Sequence, residues 1–131
     1  MANRERPLSP HLQVYKWQVQ MTSSILHRAT GVILAVGALL VTGGLLALSA
    51  GPERWMQFLD LAGSIPGRIV LLGVTWALSY HLLNGIRHLL QDGGMGFSIP
   101  QFVRSSLISM IGSVLLTAIV WGVFLVRWGQ A

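Results

Sequence analysis

The chain has 131 residues, of which 53% are hydrophobic and 10% are charged, with a formal net charge of +5. Soluble domains carry roughly 25% charged residues, so nine basic and four acidic residues are too few for an ordinary soluble enzyme. The absence of cysteine excludes disulfides and cysteine-bound zinc or iron–sulfur clusters within the chain. The basic residues occur singly or in pairs, which argues against nucleic-acid binding and favours membrane topology signals.

Three stretches contain no Asp, Glu, Lys or Arg over 24, 18 and 22 residues. A hydrocarbon core of about 30 Å takes roughly 17–25 helical residues, and backbone groups in lipid must find their partners within a helix. The sequence therefore predicts an all-α integral membrane protein with three transmembrane helices, at about 29–50, 68–90 and 105–126. We expect one membrane domain over residues 1–131, with residues 1–24 as a cytoplasmic segment that is extended at its start.

The short connections agree with this arrangement. Gly51-Pro52 and Pro66-Gly67 are helix breakers, and the residues between them predict a short helix at the membrane interface. The first span is too long to be the apolar region of a signal peptide, which has about 7–15 residues.

Lysine and arginine set the orientation of the spans, because they favour the cytoplasmic side of a membrane. Six of the nine basic residues fall on the side of the N-terminus: Arg4, Arg6, Lys16, Arg28, Arg87 and Arg104. This predicts a cytoplasmic N-terminus and a periplasmic C-terminus in a bacterial inner membrane. A bacterial source is favoured because residues 1–20 lack the composition of a mitochondrial transit peptide.

His81 lies within the second predicted span, where an ionisable group is costly and is a candidate for function. It is six residues from Arg87, or about 9 Å from the basic edge of the span. An imidazole there needs a hydrogen bond or a metal, and a neutral imidazole can bind haem iron. Gly85, one turn further on, leaves room for a flat group. Spacing alone leaves open both haem ligation and a hydrogen bond to a Ser or carbonyl of a neighbouring helix.

A second polar cluster precedes the first span on one helical face: Ser24, His27, Arg28 and Gly31. Arg28 and Arg87 end the first two charge-free stretches on the same side of the membrane. His27 and Arg28 should therefore lie at the level of His88, about 10 Å from the level of His81. Haem carboxylates at His81 would then point toward His27, Arg28 and His88. The difference in level makes His27 unsuitable as the opposite ligand, which would come from another chain. Alternatively, Arg28 is an interface residue whose side chain reaches the headgroups, and Ser24 only begins a helix.

The third span carries small polar residues at every fourth position: Ser105, Ser109, Ser113 and Thr117. Small residues on one stripe allow a neighbouring helix to approach closely. We interpret this stripe as a packing surface.

Three segments carry recognisable patterns: R-P-L-S-P-H-L at 6–12, S-x-x-H-R-x-x-G at 24–31 and H-x-x-x-G-x-R-H-x-x-x-D at 81–92. Together they resemble the larger cytochrome b membrane-anchor subunit of succinate dehydrogenase, respiratory complex II. The three spans and the length match as well, so the resemblance covers almost the whole chain.

The resemblance implies that His81 is an axial ligand of the iron of haem b, opposite a histidine of the small anchor subunit. It also implies that His27 and Arg28 lie near the haem propionates. Ser24 and Arg28 would help to form a ubiquinone site, shared with the small anchor and the iron–sulfur subunit. A quinone is flat and apolar with two oxygens that gain charge on reduction, so a hydroxyl, a guanidinium and the apolar wall of Ile25 suit it.

The function implied is electron transfer from succinate to quinone in a complex with the flavoprotein and iron–sulfur subunits. No residue of this chain is expected to catalyse succinate oxidation itself. One alternative function is that of an anchor subunit of a quinol:fumarate reductase, which shares the fold and the haem arrangement. A second alternative, of a different class, is a membrane scaffold without haem.

Overall fold

The computed structural model describes residues 16–128, and this part of the chain is helical without strands. The helices are α1 (Val19–Ser49), α2 (Pro52–Gly63), α3 (Ile65–Asp92) and α4 (Ile99–Trp128). Three of them, α1, α3 and α4, are long and apolar enough to cross a membrane. The predicted all-α membrane fold with three transmembrane helices is confirmed. The first fifteen residues, including the 6–12 pattern, lie outside the described residues.

The helices extend beyond the predicted spans. Helix α1 begins at Val19, well before residue 29, so that the end of the expected cytoplasmic segment is already helical. Helix α3 begins at Ile65, where the Ser64 hydroxyl accepts a hydrogen bond from the Gly67 amide at 3.2 Å. A charged side chain can reach the headgroups from within a helix, so charge-free stretches underestimate helix length.

The interior of the described bundle is polar and its surface is apolar, the reverse of a soluble domain. The buried hydrophobic residues in this part of the chain are Ala77 and Tyr80 alone, whereas glycine, serine, threonine, asparagine, arginine and glutamine fill the other buried positions. Leucine, isoleucine and valine side chains face outward on all three long helices. Such a surface suits lipid, in which helices associate through close packing and hydrogen bonds.

Small residues recur at every seventh position along the contact face of α1: Ser23, Thr30, Gly37 and Gly44. A seven-residue repeat keeps one face toward a partner helix. A Cβ at Gly37 would lie 3.1 Å from Val74 of α3, and one at Gly44 would lie 3.0 Å from Phe58 of α2. Close approach at these points therefore fixes the register of α1.

Helix α3 is central, since it packs against each of the other three helices. Five of its six buried residues follow one another at intervals of three and four, namely Ala77, Tyr80, Asn84, Arg87 and Gln91, and the sixth is Ser79. The buried residues of α4 that meet it are Ser106, Ser109, Ser113 and Thr117. Three residues of the predicted stripe, Ser109, Ser113 and Thr117, are buried, and Ser105 is half-buried. Ser106, which lies outside the stripe, is fully buried.

Candidate functional site

Three histidines from two helices meet at one end of the bundle. The His27 ring of α1 stacks on the His81 ring of α3, with centroids 4.0 Å apart and planes 13° from parallel. His88, two turns along α3, lies with its ring centroid 5.2 Å from that of His27. The structure therefore brings His27, His81 and His88 together, as the sequence predicted for the surroundings of a haem.

The predicted difference in level between His27 and His81 is wrong. The sequence argument separated them by about 10 Å, whereas their rings stack at 4.0 Å. The error comes from using Arg28 as the membrane edge, although its side chain only has to reach the headgroups. Two parallel rings at this distance leave no room for an iron and a porphyrin between them. The geometry therefore still places His27 beside His81 and not opposite it.

His81 is held through one ring nitrogen. Its Nδ1 lies 3.2 Å from the main-chain oxygen of His27 and 3.3 Å from the Thr30 hydroxyl oxygen. A carbonyl oxygen only accepts, so Nδ1 carries the proton and donates it. Nε2 then keeps its lone pair, the form of imidazole that binds a metal. The two alternatives for His81, a carbonyl hydrogen bond and a ligand role, thus use different nitrogens and are compatible.

Two glycines shape the space near His81. A Cβ at Gly31 would lie 3.2 Å from Cε1 and 3.7 Å from Nδ1 of His81, so a glycine lets α1 approach the ring closely. A Cβ at Gly85 would meet nothing within 4 Å. The open space at Gly85 fits a flat group seated against this side of α3.

The proposed quinone residues lie on an outer face of α1. Ile25 is 49% exposed, Arg28 is exposed and Ser24 is half-buried. Within residues 16–128, Ser24 and Arg28 have no hydrogen-bond or ionic partner. Their polar groups are thus available to a ligand.

A buried polar network beside the histidines was missed by the sequence argument. The Ser23 hydroxyl donates to Asn84 Oδ1 at 3.1 Å, and the Tyr80 hydroxyl donates to the Ser23 main-chain oxygen at 3.0 Å. Arg87 Nη1 donates to the same Asn84 oxygen at 3.1 Å, and Arg87 Nε donates to the Ser105 hydroxyl at 3.0 Å. The network joins α1, α3 and α4, and it explains Asn84 in an otherwise apolar segment. Its sequence signal is the alternation of three and four along α3.

Several buried polar atoms of this region have no hydrogen-bond partner among residues 16–128. Arg87 is 6% exposed, and the Phe102 ring covers its guanidinium at 4.2 Å. Its Nη2 is buried without a hydrogen-bond partner, as are Nδ2 of Asn84 and Nε2 of Gln91. His27 Nδ1 is also buried without one. Unpaired buried polar groups are costly, so these atoms are candidates for contact with a molecule outside the chain.

Comparison with known proteins places the chain in a family. The family described as succinate dehydrogenase/fumarate reductase transmembrane subunit matches residues 2–121. The succinate dehydrogenase cytochrome b556 subunit of Paracoccus denitrificans is 43% identical over 92% of this chain and 93% of its own length. The subunit of that name from Rickettsia felis is 43% identical over 89% of this chain and 91% of its own length.

A mitochondrial relative is also similar. The succinate dehydrogenase cytochrome b560 subunit of Sus scrofa is 41% identical over 84% of this chain and 66% of its own length. The resemblance predicted from the sequence is thus confirmed, and the chain belongs to the family of succinate dehydrogenase/fumarate reductase transmembrane subunits.

Proposed function

We propose that the chain is the cytochrome b membrane anchor of a succinate:ubiquinone oxidoreductase, and that it ligates haem b and forms part of the quinone-reduction site. The names of the relatives support the anchor role in complex II. The observation that carries the haem assignment is the orientation of His81, whose Nδ1 is bonded to the backbone while Nε2 keeps its lone pair. Because the chain has no cysteine, iron–sulfur clusters belong to partner subunits.

The chain's contribution to the haem site is a ligand and its support. Haem b, when bound, accepts and releases one electron at its iron. The hydrogen bond from Nδ1 to the His27 carbonyl fixes the orientation of the His81 ring. Thr30 and Gly31 hold the same ring from the side of α1. His27, Arg28 and His88 are the donors for the haem carboxylates, to which guanidinium and imidazole groups bind through charge-assisted hydrogen bonds.

The open face at Gly85 gives a direct test of the haem position. We expect Gly85→Leu to remove haem from an assembled complex, because the side chain enters space that residues 16–128 leave empty. Haem content per flavin and subunit composition are the measurements. Gly43→Leu is the matched control, since a Cβ at Gly43 also meets nothing within 4 Å. Equal haem in both variants contradicts the assignment, and loss of the small anchor subunit would place that subunit at Gly85.

The quinone assignment predicts a split between two activities. Ser24→Ala and Arg28→Gln are expected to lower quinone reduction by about 10- to 100-fold each, the worth of a hydrogen bond to a charged group. Succinate oxidation with a soluble dye acceptor should persist, because it bypasses the quinone. Thr22→Ala is the control for Ser24, since the exposed Thr22 hydroxyl bonds only its own helix; Arg104→Gln is the control for Arg28. An equal loss of both activities would contradict a quinone role.

The proposal includes partners and orientation. A small membrane-anchor subunit supplies the second haem ligand, and the iron–sulfur and flavoprotein subunits dock on the cytoplasmic face. The N-terminus is cytoplasmic and the C-terminus periplasmic, in a bacterial inner membrane. Support comes from the excess of basic residues on one side. The names of the similar relatives favour succinate oxidation over the fumarate reductase alternative.

A further inference from the structure

A second candidate site lies between α3 and α4. The cavity there has a volume of about 630 Å³. Leu83 and Leu90, two of its lining residues, lie roughly 200° and 180° around α3 from His81 at 3.6 residues per turn. The aliphatic part of the cavity therefore lies on the face of α3 opposite the proposed haem ligand, whereas Arg87 and Gln91 lie about 120° and 80° around the helix from His81.

The shape of the cavity is that of a groove along the membrane-crossing direction. Its lining on α4 runs from Gln101 to Ile119, which is about 27 Å of helix rise. This length approaches the hydrocarbon thickness of a bilayer, about 30 Å. Leucine and isoleucine are the most frequent lining residues, including Leu90, Ile108 and Leu115. A long apolar chain is the kind of molecule that can follow such a groove.

The groove is polar at the end where α3 finishes and α4 begins. Arg87, Gln91, Gln101 and Ser105 line this end. Arg87 and Gln91 are only 6% and 9% exposed, and each has one buried nitrogen without an acceptor. The partners of the Arg87 guanidinium are two neutral oxygens and an aromatic ring. A buried cation without an anion is costly, so this end of the groove calls for an anionic group from outside the described chain.

We propose that the groove binds an anionic phospholipid, with its phosphate at Arg87 and Gln91 and an acyl chain along Ile108 and Leu115. Guanidinium binds phosphate through paired, charge-assisted hydrogen bonds. Basic pockets between transmembrane helices at a membrane edge bind anionic headgroups in this way. A phospholipid joins a negative charge at the interface to an apolar chain that runs into the bilayer, and the groove has both parts in that order.

The test measures lipid retention by the purified membrane complex in detergent. After exchange into phosphatidylglycerol, native mass spectrometry should show at least one such lipid retained by the wild-type complex, in preference to phosphatidylcholine. Arg87→Gln is expected to weaken retention by about 10- to 100-fold. Arg104→Gln, an exposed basic residue of α4 outside the groove lining, should retain the lipid. Ile108→Trp fills the groove without removing a polar group and should displace the lipid while the haem spectrum stays unchanged.

Two results would overturn the proposal. One is equal retention of the two lipids by the wild type, and the other is equal retention by the Arg87→Gln and Arg104→Gln variants. If Arg87→Gln does not assemble, a photo-reactive benzoylphenylalanine at position 108 decides the question. A crosslink to phospholipid supports the proposal, and a crosslink to another protein subunit overturns it. Lipid retention and lipid crosslinking are measured without reference to the haem spectrum, so neither result depends on the haem assignment.

Discussion

The complex that carries His81→Ala is expected to lose haem b while its subunits remain assembled. Losing a residue that only hydrogen-bonds a metal ligand weakens metal binding by about 10- to 100-fold. Losing the ligand itself should weaken haem binding at least as much. Haem extracted per flavin in the purified complex measures the effect. Added imidazole should restore part of the haem signal, because it can occupy the space that the side chain leaves.

Tyr80→Phe is the control for this substitution. Tyr80 is the buried neighbour of His81, and its hydroxyl bonds the backbone of α1. Its loss should reduce stability by about 1 kcal/mol, the net value of one hydrogen bond, without removing haem. An unchanged haem content and spectrum in His81→Ala would contradict the ligand assignment.

Gly31→Val is expected to displace the His81 ring and to weaken haem retention by about 10- to 100-fold. This is the usual effect of losing a hydrogen bond to a metal ligand. A Cβ alone would lie 3.2 Å from the ring carbon Cε1, and valine adds two methyl groups. The ring must then move away from α1 and lengthen its hydrogen bond to the His27 carbonyl. Haem retention during dilution in detergent, together with the electron paramagnetic resonance signal of the oxidised haem, reports this movement.

The substitution has a graded series and a matched control. Gly31→Ala should shift the resonance signal and retain more haem than Gly31→Val, because alanine requires a movement of only a few tenths of an ångström. Gly43 lies on the same helix, and a Cβ there meets nothing within 4 Å. Gly43→Ala should therefore keep the haem and gain the helix propensity of alanine, about 1 kcal/mol. Identical haem signals in all these variants would show that Gly31 does not position the ring.

The sequence was sufficient for the fold because membrane spans follow from the distribution of charge. Three charge-free stretches predicted three helices, and the structure contains them. His81 could also be selected, since an ionisable residue deep in a span is rare. The level of His27 could not be predicted in the same way. Arg28 marks where a side chain reaches the interface, and it does not fix the height at which neighbouring rings meet.

The buried network escaped prediction for a different reason. In a membrane protein the aliphatic residues face lipid, so an apolar stripe does not show which face of a helix is buried. Ser23 and Ser24 are adjacent and point about 100° apart. The contact with Tyr80 and Asn84, and not any local pattern, makes Ser23 the buried one. The alternation at Tyr80, Asn84 and Arg87 is visible in the sequence, but the partner of each residue depends on how the helices pack.

The central claim, that this chain is a haem-bearing cytochrome b anchor, is tested most directly by one measurement. It is the reduced-minus-oxidised absorption difference spectrum of the purified wild-type complex with all of its subunits present. The account predicts the bands of a low-spin b-type haem, with one haem for each copy of this chain. A complete complex that shows no haem bands would contradict it and would favour a haem-free membrane scaffold.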